Sequence, residues 1–160
     1  EALTTSSTPS VLSLSRQGLP CLRTEHTDEN LSTKGGYVLA KAEGKRDVTL
    51  IASGSEVYIA MEARDQLKAE GVSAAVVSMP CLDLFESQDK DYRNQVISSR
   101  IPVVVVEAGV EQSWGRYLGE AGEFVGMKSF GASAPANDLF EHFGITTKNI
   151  VEAAKRITKK

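Results

Sequence analysis

What this chain of 160 residues has little of narrows its chemistry first. It has only two cysteines, Cys21 and Cys81, and two histidines, His26 and His142, all far apart. Neither a disulfide framework nor metal-ligand spacing can be drawn from them, so a reducing, cytoplasmic setting is expected. No apolar run approaches the roughly 18 residues that a membrane span requires. Neither sign of charge dominates: the net charge is −3, and basic residues are scattered except for Lys155, Arg156, Lys159 and Lys160. That cluster reads as cations favoured at a helix C-terminus, and there is no electrostatic reason to expect nucleic acid or an anionic membrane as a partner. Glycine-rich phosphate loops are missing too. SGSEV (53–57) lacks the third glycine of GxGxxG, and no GxxxxGK[ST] occurs, which argues against a nucleotide cofactor site in the body of the chain. The opening residues do not form a signal sequence and carry no initiator Met. EALTTSSTPSVLSLSR (1–16) reads as the end of a helix, a turn and a strand, so a fragment is expected.

What is present is a repetitive α/β pattern. Residues 17–36 are rich in Gly, Pro, Thr, Ser and Asn and read as a linker, too long for a tight connection. After it come short β-prone runs ending at Gly or Pro: YVLAKA (37–42), VTLIASG (48–54), AAVVSMP (74–80), VVVVEAG (103–109) and GMKSFG (126–131). Three are continuously apolar, as strands buried on both faces should be. Between them, SEVYIAMEARDQLKAEG (55–71) puts Val57, Ala60, Met61 and Leu67 on one stripe. Ser55 is its expected cap and Gly71 its stop. Weaker helical patterns cover DKDYRNQVISSR (89–100) and SWGRYLGEAG (113–122). PANDLFEHFG (135–144) has Pro135 at a first helical position, and TTKNIVEAAKRI (146–157) aligns Ile150, Val151, Ala154 and Ile157. The pattern predicts a small doubly wound, mainly parallel five-stranded sheet with helices on both faces. KGGYVLAKA supplies an antiparallel edge, and a strand and linker precede the whole.

Ligands of such sheets bind beyond the C-terminal ends of strands. Glu56 and Glu107 each follow a strand and are candidates for a carboxylate pair in acid/base work. Their structural alternative, favoured by the local pattern, is a charge at a helix N-terminus for Glu56 and satisfaction of turn donors for Glu107. Cys81 reads as a small buried hydrophobe rather than a nucleophile, since no histidine lies at a diagnostic spacing. His142 reads as a packed or surface histidine, and Trp114 as core or subunit interface. Leu12 and Leu14 alternate with Ser13 and Ser15 in the period of a strand, and Arg16 then stands at the turn before Gly18 and Pro20. A surface arginine in a local salt bridge is one reading of Arg16. A bidentate grip on phosphate, which the planar guanidinium can supply and a lysine cannot, is the other.

Several segments, in order and across nearly the whole chain, resemble the C-terminal part of a transketolase: LSRQGLP (14–20), KGGYVL (34–39), IASGSEV (51–57), VSMPCLDLFESQDKDYR (77–93), VEAGVEQSWGRY (106–117) and FGASAPANDLFEHFGITTKNIV (130–151). The resemblance implies a thiamine diphosphate enzyme, with Mg²⁺ or Ca²⁺, that moves a two-carbon ketol unit from a ketose phosphate to an aldose phosphate in the pentose phosphate pathway. It implies that residues 1–24 are the tail of the pyrimidine-binding domain, 25–35 a linker and 36–160 the C-terminal domain. The family's cofactor, metal and catalytic residues would all lie upstream of Glu1, so no residue of this chain is assigned to them. Only Arg16 carries over, as a ligand of the sugar phosphate. A homodimer is implied, and the fragment alone is expected to be inactive. The alternatives are an assembly or regulatory module only, or a related thiamine enzyme such as dihydroxyacetone synthase or deoxyxylulose phosphate synthase. SMPCLDLFESQD and GASAPANDLFEHFG favour transketolase.

Overall fold

The computed structural model describes residues 9–158, so the helix end read before residue 9 and the terminal Lys159 and Lys160 lie outside the described residues. A single sheet organises the chain. Its strands are β1 (Tyr37–Ala40), β2 (Val48–Ala52), β3 (Ala74–Ser78), β4 (Val103–Glu107) and β5 (Glu123–Gly126). They lie in the order β1-β3-β2-β4-β5. Pairings β2–β3, β2–β4 and β4–β5 are parallel, and β1 runs antiparallel to β3 at the edge, as the sequence predicts.

The helices are α1 (Glu56–Ala69), α2 (Leu82–Glu86), α3 (Lys90–Val96), α4 (Gly115–Leu118), α5 (Ala136–Phe143) and α6 (Thr147–Thr158). Successive side chains along a strand point to opposite faces and so enter the two core layers in turn. Leu50, Val76 and Val104 enter one core layer with Ala60, Ala63 and Leu67 of α1 and Ile150 and Ala154 of α6. Ile51, Val77 and Val105 enter the other, with Phe85 of α2, Val96 of α3 and Leu118 of α4. The central strands are therefore covered on both faces, which is why their sequences are nearly all apolar.

Four expectations need correction. Residues 12–15 form no strand, and Leu12 and Leu14 are exposed. A period-2 pattern yields a strand only where a neighbour accepts its backbone hydrogen bonds, and no segment among the described residues does so. The fifth strand lies three residues earlier than GMKSFG: Phe124 and Val125 align with Val105 and Val106, whereas Phe130 is fully exposed. It stops at Gly126, where any Cβ would meet the Phe124 ring at 2.3 Å and the Glu107 carbonyl oxygen at 2.6 Å. Ser55 does not cap α1 with its side chain, because its backbone is already helical (φ −68°, ψ −25°) and its hydroxyl donates to Glu56. An N-cap acceptor needs the extended backbone that Ser55 lacks. Pro135 stands one residue before α5 rather than inside it. Three elements add to the pattern that was read: α2, a 3-10 turn over Glu111–Ser113, and a 3-10 turn over Leu31–Lys34 in which the Asn30 side chain accepts from the Ser32 N–H.

Candidate functional site

The strand order creates one reversal. From β2 the chain leaves toward β3, and from β4 toward β5, so the connections after the two adjacent strands part in opposite directions. In open α/β sheets that reversal opens a crevice beyond the strand C-termini, the usual ligand position. The turn Ser53–Glu56 forms one wall and the turn Glu107–Gly109 the other. This topology brings together the two carboxylates that the sequence singled out.

Glu56, in the first turn of α1, is buried, with 4% of its surface exposed. Its Oε1 accepts from the Ser55 hydroxyl at 2.7 Å, and it also accepts backbone bonds from its own N–H and that of Ala108. Glu107 ends β4 half-buried, its Oε2 accepting from the Ser53 hydroxyl at 2.8 Å. Burial pushes the Glu56 carboxyl above its ordinary value, and the negative charge of Glu107 adds to the rise. Burial also raises Glu107, with Ser53 opposing the rise. Two carboxyls so placed hold a proton more readily than exposed ones. Both are nonetheless held by donors of this same chain, so their chemistry in this arrangement is to fasten β2 to β4. For Glu107 the donor is a side chain, Ser53, rather than the turn backbone that the sequence suggested. Ser53 was missed: the sequence shows it only as a hydroxyl directly after a strand, and the sheet order sets that strand beside β4.

The segment ahead of β1 runs along the same end of the sheet. Leu19, Leu22, Tyr37, Gly54, Ser55 and Tyr58 line one cleft there, and Arg23 stacks over the Tyr37 ring at 5.7 Å. Arg16 is not among the lining residues; it stands on an exposed bend. Cys81 is half-buried at the start of α2, and its N–H donates to the Gly35 carbonyl at 3.0 Å. His142 is exposed on α5 with its ring edge-on to Phe143. Trp114 is buried in the second core layer, so the core reading holds. Among the described residues no three His, Cys, Asp or Glu side chains gather as a metal-ligand set. None of the described helices is long and apolar enough to cross a membrane.

The family model for the transketolase-like C-terminal domain matches residues 35–146. The chain belongs to the transketolase family. It is 54% identical over 154 residues to a transketolase of Cereibacter sphaeroides and 51% identical over 162 residues to that of Rhodobacter capsulatus. These alignments take in 96% and 98% of this chain but 23% and 24% of the relatives, so the chain spans about a quarter of their length. Among solved structures, the transketolase of Leishmania mexicana superposes with a TM-score of 0.74 at 39% identity, over 80% of this chain and 18% of that one. The Pichia stipitis transketolase, solved with sedoheptulose 7-phosphate, gives 0.73 at 32% identity over the same shares. A split-gene transketolase, described as an inactive β4 tetramer, gives 0.68 at 26% identity over 90% of this chain and 48% of that one. The transketolase C-terminal fold thus accounts for the sheet order and for the two-sided core.

Proposed function

We propose that this chain is the C-terminal part of a transketolase that transfers a two-carbon ketol unit from a ketose phosphate to an aldose phosphate, in the cytoplasm and in the pentose phosphate pathway. The observation that carries the reading is the unbroken similarity, above half identity, over nearly all of this chain. In this reading residues 1–24 close the pyrimidine-binding domain, 25–35 link, and 36–160 form the C-terminal domain; the family match starting at residue 35 supports that division.

The cofactor implied is thiamine diphosphate with Mg²⁺ or Ca²⁺, which supplies the carbanion chemistry when bound. The described residues do not fit it. They offer no metal-ligand set, and the two carboxyls at the crevice, buried Glu56 and half-buried Glu107, already accept from Ser53, Ser55 and backbone N–H groups. No catalytic step is therefore assigned to this domain. Arg16 is the one residue of the chain proposed to touch substrate. On its exposed bend the guanidinium is open to a phosphate, and the fork geometry holds two of its oxygens at once. Val11, Leu12 and Leu14 are largely exposed beside it, which favours burial against the rest of a longer polypeptide or its dimer mate. That supports a second role in assembly, compatible with the first.

The test is calorimetric. The 160-residue chain titrated with thiamine diphosphate and Mg²⁺ is expected to give no saturable heat, and the longer polypeptide to bind both and transfer ketol units. Saturable binding by the short chain would overturn the placement of the cofactor outside it.

A further inference from the structure

At the opposite end of the sheet from the carboxylate crevice, by the start of β4, a cleft of about 420 Å³ opens between α2, α3 and α4. Its floor is apolar, with Phe85, Ile97, Ile101 and Val103. Its polar lining is unusual for so small a domain of net negative charge. Lys90, Arg93 and Arg116 line it together with a single carboxylate, Glu86. Both oxygens of Glu86 are engaged: Oε1 accepts from the Tyr117 hydroxyl at 2.7 Å and Oε2 from Arg93 Nη1 at 2.7 Å. Arg116 reaches Oε2 only at 3.9 Å, beyond hydrogen-bond distance. The Glu86 carboxylate therefore orients Arg93 and Tyr117 and leaves an excess of two positive charges. Ser98 and Ser99 add hydroxyl donors at the rim.

We propose that this cleft binds a small organic phosphate. The uncompensated charge of two matches the charge of about −1.5 to −2 that a phosphate monoester carries near pH 7. A monocarboxylate would leave one cation unpaired. Arg93 spends Nη1 on Glu86 and its Nε is buried without a partner, which leaves Nη2 for the ligand, and Arg116 retains its full fork. The volume is within the range of small-molecule sites, and the apolar floor suits the carbon skeleton of an ester rather than a bare ion.

The proposal is independent of Arg16 and is tested on the 160-residue chain with glycerol 3-phosphate as probe, followed by amide chemical shifts at low ionic strength. Saturable shifts at Ser98, Ser99 and Tyr117 are expected, with no saturable shift from neutral glycerol. Arg116→Gln is exposed and leaves the Arg93–Glu86 pair in place, so it should fold normally and weaken binding about tenfold or more. Arg16→Ala should leave the affinity unchanged. Absence of saturable shifts, equal affinity in the Arg116→Gln and Lys90→Gln variants, or equally tight binding of acetate would overturn the assignment. So would binding that disappears in the longer polypeptide, which would make the cleft a contact surface between domains.

Discussion

Replacing Tyr117 by Phe isolates one polar contact in the second core layer. The Tyr117 hydroxyl donates to Glu86 Oε1 at 2.7 Å, while its ring lies 6.1 Å from both Phe85 and Trp114. Phe keeps the ring contacts and removes only the donor. Hydrogen bonds to charged groups contribute about 1.5 to 3 kcal/mol. The Glu86 side chain is 30% exposed and keeps Arg93, so water replaces part of the loss, and a cost of about 1 to 2 kcal/mol is expected. For a domain of this size that lowers Tm by about 2 to 4 °C per kcal/mol. Urea unfolding should show a lower midpoint with an unchanged slope. A double-mutant cycle with Glu86→Gln should return a coupling of about 1 kcal/mol. The same hydroxyl is held protonated by burial and by Glu86, so ultraviolet titration of the variant should lose the tyrosine that ionises last. A variant as stable as the parent, with zero coupling to Glu86, would refute this account of the cluster.

Other perturbations probe the rest of the fold. Gly35 has φ +77°, and a Cβ there would lie 2.2 Å from the Phe85 backbone nitrogen and 2.4 Å from the Cys81 carbonyl oxygen. Gly35→Ala should cost about 2 to 5 kcal/mol by thermal unfolding, and an unchanged Tm would disprove that close approach. Burial raises both Glu56 and Glu107 above the ordinary value of 4.5. Their contribution is therefore fully present below that value and is lost as pH rises through the raised folded-state values. Tm measured against pH in high salt, which screens the oppositely shifted exposed carboxylates Glu43 and Glu70, should fall for the parent relative to the Glu56→Gln/Glu107→Gln variant as pH climbs from that value. Parallel profiles would count against buried carboxyls at the crevice.

Much of the fold was legible because both faces of its central strands are covered. The runs 48–52, 74–78 and 103–107 are almost wholly apolar, and that composition marks interior parallel strands. β5 misled because it is short, begins with Glu123 and is followed by the β-prone Met127–Phe130, of which Met127 packs against the core and Lys128, Ser129 and Phe130 are exposed. The Leu/Ser alternation at 12–15 misled for the converse reason: the pattern describes two faces, and a ladder needs a neighbouring strand. The crevice was half legible. Glu56 and Glu107 were visible as residues following strands, but their meeting depends on β4 lying beside β2, a choice of order written in no local pattern. The Ser53–Glu107 bond spans 54 positions for the same reason. The cationic cleft was not legible at all, since α2 is five residues long and Arg93, Arg116 and Glu86 stand on three different helices.

The most direct measurement concerns Arg16 in the longer polypeptide. Ketol transfer should be followed for phosphorylated donors and acceptors and, in parallel, for donors lacking the phosphate, in the parent and in Arg16→Ala. Loss of a charge-assisted pair predicts KM for the phosphorylated sugars raised about tenfold or more, with little change for the unphosphorylated ones and a smaller rescue by Arg16→Lys. Unchanged KM for both ketose and aldose phosphates would contradict the proposal that Arg16 holds the sugar phosphate.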